Sequence, residues 1–279
     1  MKKIGIIDYY LSQYHSNNAQ RWVEMANNAL GVEYRVCYAY AELDVSPDGV
    51  TTDEWCKQRD VIKCESIDEV CEKSDFIMII APDNSEKHLE YAKTAFKYGK
   101  RTFIDKTFAP DYESAKKIYE LGEKYNTKFF SCSSLRFADE LQLIKGAQNY
   151  VIVSDGFKLP VYLVHQVEMM MELVNSKAKR VKMEIQGHQK ISRVEFENGK
   201  TITAVMDKYA PYYIFYSNED TTGGFVEIKS PFFANQIRNV VKFFETGEYP
   251  FDNEQTLEIM RIIEMLLKAS KNQNVWIEN

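Results

Sequence analysis

Positive charge is in short supply in this chain of 279 residues. Its 35 lysines and arginines are outnumbered by 41 aspartates and glutamates, for a formal net charge of -6 and a pI near 5.5. No basic block stands out, which argues against a nucleic-acid or anionic-membrane partner. Long apolar runs are missing too: none approaches the ~20 residues that a bilayer span needs. The N-terminal run Ile4-Gly5-Ile6-Ile7 is broken by Asp8 and is too short for a signal peptide. The five cysteines, Cys37, Cys56, Cys64, Cys71 and Cys132, are odd in number and form no close metal-type pair. A disulfide framework and a metal centre are therefore not expected, and reduced thiols in the cytoplasm are. Internal repeats and low-complexity tracts are absent. Glycine is absent from Asp8 to Gln13.

What is present suits a soluble protein with a substantial core: 45% hydrophobic and 27% charged residues. The length favours two domains. Residues 3–7 form an apolar run that suits a buried parallel strand, and 17–30 carry helical apolar spacing with Gly31 as a stop. Residues 32–41 read as a second strand, completing a βαβ unit. Residues 44–63 are polar and read as a loop. Ser66 and Glu69 have capping-box spacing before a short helix. Residues 75–81 are the clearest buried strand, followed by a turn at Pro82-Asp83-Asn84 and a helix ending at Gly99. A strand (102–105), a helix (112–125) and a strand (128–132) follow. This alternation predicts a doubly wound, Rossmann-type parallel sheet over residues 1–132. Residues 133–279 differ. Strands at 181–185, 191–196, 201–205, 212–216 and 225–228 follow one another, with Asn198-Gly199 as a hairpin turn. They predict an α+β domain on a mainly antiparallel sheet, closed by helices at 234–246 and 254–270.

Four motifs in order carry a resemblance. Gly99-Lys100 leads through a strand into Asp105-Lys106-Thr107. Leu135-Arg136-Phe137 follows the next strand. Val164-His165-Gln166-Val167-Glu168 opens a helix. Phe243 to Pro250 has the pattern Phe-x-x-x-Gly-x-x-Pro. Together they resemble the glucose–fructose oxidoreductase/inositol dehydrogenase (Gfo/Idh/MocA) family, in which the first triplet reads Glu-Lys-Pro. The resemblance implies an oxidoreductase that passes hydride between NAD or NADP and a small hydroxy compound such as a sugar or polyol. It also implies a homodimer or homotetramer. Two departures stand out. The family's GxGxxG loop, which lets a diphosphate approach a helix N-terminus, is replaced by Asp8-Tyr9-Tyr10-Leu11-Ser12-Gln13. The aspartate four residues before the family's histidine is Val161 here.

Hydride transfer from an alcohol needs a cation near the developing oxyanion and a base for the hydroxyl proton. The resemblance gives Lys106 the first role, at the carboxyl end of a parallel strand; the plain alternative is an exposed loop lysine. His165 suits the second, with Glu168 one turn on and Tyr162 nearby to orient substrate, or it serves structure only. Asp8, Tyr9, Tyr10, Pro82, Asp83, Asn84 and Arg136 are the candidate cofactor contacts. Asp8 with His15 equally suits a local polar pair, 82–84 a helix cap, and Arg136 a surface pair with Asp139 or Glu140. His88 reads as a first-turn helix residue. Tyr40, with Glu42 two residues on, stands where an acid often meets the ribose, so NAD and NADP remain open. A catalytically silent relative that binds a small metabolite or a partner is the alternative function, favoured by the acidic first loop.

Overall fold

The computed structural model describes residues 1–279, which divide into two compact units: 1–132 with 233–253, and 133–232 with 254–279. In the first unit β1 (Lys2–Asp8), α1 (Tyr14–Leu30), β2 (Tyr34–Ala41), α2 (Thr52–Arg59), β3 (Ile62–Lys63), α3 (Ile67–Lys73), β4 (Phe76–Ile79), α4 (His88–Ala95), β5 (Thr102–Ile104), α5 (Tyr112–Lys124) and β6 (Phe129–Ser131) alternate. All six strands are parallel, in the order β3-β2-β1-β4-β5-β6. The order reverses between β1 and β4, and open sheets of this kind place ligands at the carboxyl ends flanking that reversal. Ile6, Ile7, Ile77 and Ile79 are wholly buried there. Each such side chain contributes ~1.5–3 kcal/mol relative to exposure.

Local chemistry sets the boundaries. Gly31 ends α1 in the left-handed region. Ser66 caps α3 and Asp111 caps α5, each accepting from the amide three residues on. Gly5 is required by close approach: a Cβ there would lie 2.3 Å from Ser74 Oγ and 2.4 Å from Val70 Cγ1 of the α3 layer. The polar stretch 44–63, read as loop from sequence, contains α2 and β3. A capping box between Thr51 and Glu54 starts that helix, and it buries Trp55 and Cys56 on a short apolar face.

The second unit holds α6 (Asp139–Ile144), β7 (Asn149–Asp155), α7 (Leu159–Val174), β8 (Ala178–Gln186), β9 (Gln189–Phe196), β10 (Thr201–Asp207), β11 (Tyr213–Ser217) and β12 (Gly223–Glu227). The chain then returns to the first unit through α8 (Phe232–Thr246), and α9 (Gln255–Lys271) with β13 (Ile277–Glu278) completes the second. The sheet order is β12-β11-β7-β10-β9-β8-β13, antiparallel except for the parallel pair β7–β10. β7, absent from the expected strands, lies inside the sheet.

Residues 233–253, which the sequence places with the second domain, pack on the first. The Phe233 ring lies flat on Trp22 (4.7 Å between centroids, 1° apart) and Phe244 stacks on Phe76 at 4.8 Å. Tyr34 donates its hydroxyl to Glu245 at 2.6 Å. All five cysteines are free, and no helix is long and apolar enough to cross a membrane.

Candidate functional site

β1 delivers Asp8 to the sheet's reversal point, where it is 1% exposed. Its Oδ1 accepts from the amides of Tyr9 (2.8 Å) and Ala81 (3.0 Å). Its Oδ2 accepts from Ser16 Oγ (2.6 Å) and Gln13 Nε2 (2.8 Å). Burial pushes the Asp8 pKa up to about 6, against the pull of those four hydrogen bonds. The expected ligand contact at Asp8 is thus corrected: its carboxylate organises the loop from within, because all its acceptor directions are taken. Other loop amides are also engaged. Ser12 donates to Ser46 Oγ (3.0 Å), Gln13 to the Leu11 carbonyl (2.8 Å), and His15 to Gln13 Oε1 (2.7 Å). The Leu43 amide reaches back to the Tyr9 carbonyl at 2.7 Å. Tyr9 and Tyr10 are half-buried with rings edge to face. Glu42 is held by Lys87 Nζ (2.5 Å) and the Tyr91 hydroxyl (2.8 Å).

The end of β5 is more open in its chemistry. Asp105, 1% exposed, bonds through Oδ2 to Nδ1 of His15 on the first turn of α1. Nε2 of that imidazole has no hydrogen bond. Asp105 Oδ1 and Thr107 Oγ1 are buried side-chain oxygens without a partner. Burial pushes Asp105 up, but His15 and then Lys106 outweigh it and hold the carboxyl below its ordinary value. Lys106 is 6% exposed, so it is no surface lysine. Its Nζ donates to the Pro82 carbonyl at 3.1 Å and lies 3.8 Å from the Asp83 carboxylate. Lys106 and the 82–84 turn, chosen separately from sequence, therefore meet. Pro82 is buried and Asp83 exposed, while Asn84 donates to Glu86 at 2.9 Å. A cavity of about 10 Å³ beside the imidazole is lined by His15, Trp22, Phe103, Asp105 and Gln236, among others. It has room for about one water.

His88 is wholly buried rather than a plain first-turn residue. Its ring nitrogens each lie 3.0 Å from a carbonyl, of Phe108 and Ile80, so it ties the irregular segment after Lys106 to the end of β4. Burial lowers its pKa, opposed by those carbonyls.

In the second unit the first turns of α7 present Tyr162 and His165, with ring centroids 5.9 Å apart. Ser133 links the histidine to its helix neighbour: Oγ lies 2.6 Å from His165 Nδ1, and the Ser133 amide donates to Glu168 at 2.9 Å. Arg136 donates to Glu168 at 2.9 Å with both side chains 2% exposed, and Glu172 lies 3.7 Å away. The surface pairing of Arg136 with Asp139 or Glu140 is thus replaced by a buried ion pair. Burial raises the Glu168 pKa while the guanidinium and the Ser133 amide oppose it. Glu168 positions Ser133 and Arg136.

Sequence reasoning missed Ser133, the His15–Asp105 pair and the buried state of His88. A strand-end acid where the family carries Glu, with an imidazole on the first loop, was the available signal for the pair. Nothing local marked Ser133.

The sheet order, with ligand-binding positions at the carboxyl ends of the strands around the reversal, defines the class: a Rossmann-type doubly wound domain. Residues 41–132 match the model of an oxidoreductase family with an NAD-binding Rossmann fold, GFO_IDH_MocA. The match starts beyond the first loop, where the sequence departs most. An uncharacterized oxidoreductase of Escherichia coli K12, YhhX, is 30% identical over 74 residues, 24% of this chain and 21% of that protein. The match thus spans about a fifth of that relative. A probable dehydrogenase from Thermotoga maritima has the same fold (TM-score 0.80, 11% identity, covering 99% of this chain and 98% of that one). So does apo scyllo-inositol dehydrogenase from Lactobacillus casei (0.76, 15%, 99% and 98%). A UDP-N-acetylglucosamine 3-dehydrogenase from Acidithiobacillus ferrooxidans is a third (0.75, 11%, 96% and 97%).

The family's cofactor is a nicotinamide dinucleotide, and the chain fits its two ends differently. Beside Lys106 the unpartnered oxygens of Asp105 and Thr107 call for an N–H or O–H donor from outside the chain, which a carboxamide supplies. At the diphosphate end the fit is poor. An internal carboxylate and engaged amides stand where a glycine loop would offer free donors.

Proposed function

We propose that this chain is an NAD(P)-dependent oxidoreductase acting on a small hydroxy compound, a sugar, polyol or derivative. The observation that carries the reading is a buried lysine amine at the carboxyl end of β5, flanked by two unpartnered buried oxygens. Lys106 Nζ, a desolvated cation, stabilises negative charge on a substrate oxygen far better than an amine in water. Pro82 and Asp83 hold that amine in place. The nicotinamide, when bound, supplies hydride acceptance and donation. His165, its Nδ1 fixed by Ser133, is the second-unit residue with the chemistry to exchange a substrate proton. The relatives named above as dehydrogenases of an inositol and of a nucleotide sugar support the substrate class by analogy of fold. The filled first loop favours one other reading, a silent relative that binds a metabolite without a dinucleotide.

Titration of tryptophan fluorescence with NADH and NADPH separates the two readings. Saturable quenching by one of them is expected, and no binding of either at millimolar concentration would overturn the proposal. With turnover in hand, Lys106→Ala and His165→Ala should each cut kcat/KM by about 10²-fold or more while leaving the melting temperature close to wild type. Equal loss of folding would assign both to structure.

A further inference from the structure

We infer that the second unit carries an anion site on the loop between β7 and α7, built by Lys158, Lys190 and Lys208 around Phe157, and that it takes the phosphate group of a phosphorylated sugar or polyol. The anion site rests on those side chains alone; the choice of a sugar or polyol as the carrier rests on the oxidoreductase reading. The parallel strands β7 and β10 end side by side, with Asp155 opposite Asp207. The chain then turns at Gly156, whose amide donates to the Asp207 carbonyl at 3.2 Å. No side chain fits at this position: a Cβ would lie 2.7 Å from Met206 Sδ and 2.8 Å from Tyr162 Cβ. The loop is thereby seated between β10 and α7, and Phe157 stands out from it, 47% exposed. Three amines gather on that residue. Lys158 and Lys208 hold Nζ 5.7 and 6.0 Å from its ring centroid, and Lys190 Nζ donates to its carbonyl at 3.2 Å.

None of the three amines pairs with a carboxylate, as Lys145 does with Glu172 (2.7 Å) and Lys229 with Glu227 (2.5 Å) elsewhere in this unit. The neighbouring acids are committed to other groups. Asp155 accepts the Tyr209 amide at 2.8 Å, and Asp207 accepts the Lys208 amide at 2.8 Å and Gln189 Nε2 at 3.0 Å. Contact near the ~6 Å limit of cation–π attraction holds an ammonium only weakly. Lys190 spends one N–H on the Phe157 carbonyl, and the other donors of the cluster stay available to a ligand. Gathered like charges repel, and a doubly charged anion removes that cost. Tyr209 completes the rim: its ring lies 4.6 Å from Lys208 Nζ, and the residue is 81% exposed. Its backbone is held in the left-handed region (φ 65°), which a tyrosine adopts only at a cost.

The cations are all ammonium groups, point charges brought in from three separate segments. Such a set matches the tetrahedral oxygens of a phosphate better than the flat edge of a carboxylate, which a guanidinium fork would match. Tyr162 links the cluster to His165: its ring lies 5.3 Å from that of Phe157 and 5.9 Å from the imidazole. A ligand with its phosphate on the lysines thus lays its carbon skeleton along these rings and brings a hydroxyl toward His165.

The test is calorimetric titration of the full chain, without dinucleotide, using inorganic phosphate, glucose 6-phosphate and myo-inositol 1-phosphate, with glucuronate and myo-inositol for contrast. At least one phosphate ester is expected to bind about 10-fold or more tightly than glucuronate and myo-inositol, and to weaken as salt rises from about 50 to about 500 mM. Lys158→Gln combined with Lys208→Gln, both at exposed positions, should weaken that ester about 10-fold or more at an unchanged melting temperature. Lys57→Gln, on the exposed side of α2, should leave it at the wild-type affinity. Failure of all three phosphate compounds to bind, equal affinity for glucuronate, or an affinity that the double variant leaves intact overturns the site. Inorganic phosphate binding as tightly as either ester supports the anion site and overturns the sugar or polyol carrier. The NADH and NADPH titration judges the oxidoreductase reading separately. A chain that binds an ester but neither dinucleotide keeps this site and loses that reading, and the converse result loses this site alone.

Discussion

Asp8 ties folding to pH through a carboxylate that the loop can hold but barely solvates. Its pKa, raised by burial from 3.8 to about 6, means that the folded state binds the proton more tightly than the unfolded chain. The contribution of this group is therefore largest below about pH 4 and is lost as pH rises through about 6. The difference over that window is about 3 kcal/mol. Asp8→Asn should remove the dependence. Urea unfolding at pH 4.5 and pH 7 is expected to show wild type losing stability relative to Asp8→Asn on going up, and parallel behaviour of the two proteins would refute this account. At this scale the sequence was only partly legible. Lys106 was found because the stretch from Gly99-Lys100 through a strand into Asp105-Lys106-Thr107 resembles the family's Glu-Lys-Pro segment. The His15–Asp105 pair spans 90 residues and exists only once β1 and β5 lie in one sheet. Arg136 was found but given the wrong neighbours, since Asp139 and Glu140 are close in sequence whereas Glu168 is close only in space.

Strands and helices with long apolar patterns were read correctly because burial dictates the pattern. β4, the most apolar segment, is fully legible, and α1, α5, α8 and α9 show their spacing plainly. Short elements were lost for opposite reasons. α2 is mostly polar, and only its capping box betrays it. β7 follows directly on a loop and alternates buried with exposed residues, and the expected strands pass over it. Layer packing depends on approaches between segments distant in sequence, as Gly5 shows. Gly5→Ala would drive a methyl into Val70 and Ser74 where β1 meets α3. Overpacking of this kind typically costs ~1–3 kcal/mol. A guanidinium melt should move accordingly, and an unchanged midpoint would mean that α3 yields without strain.

At the scale of the whole molecule, a row of exposed apolar groups stands in register across three strands of the second sheet. Val151, Phe215 and Phe225, at 38%, 48% and 62% exposure, are cross-strand neighbours on β7, β11 and β12. We propose that this row joins copies of the chain into a dimer or tetramer. Sedimentation should show an oligomer for wild type, and Phe215→Glu with Phe225→Glu should shift it to the monomer. A monomeric wild type would end the proposal. The chain crosses between its two units three times, after residues 132, 232 and 253. Neither half is thus a continuous ribbon that a gene could donate or acquire by a single cut. A fragment stopping at 132 would bare the rings of Trp22 and Phe76, which α8 otherwise covers. Inheritance and engineering alike must treat the two halves as one indivisible text.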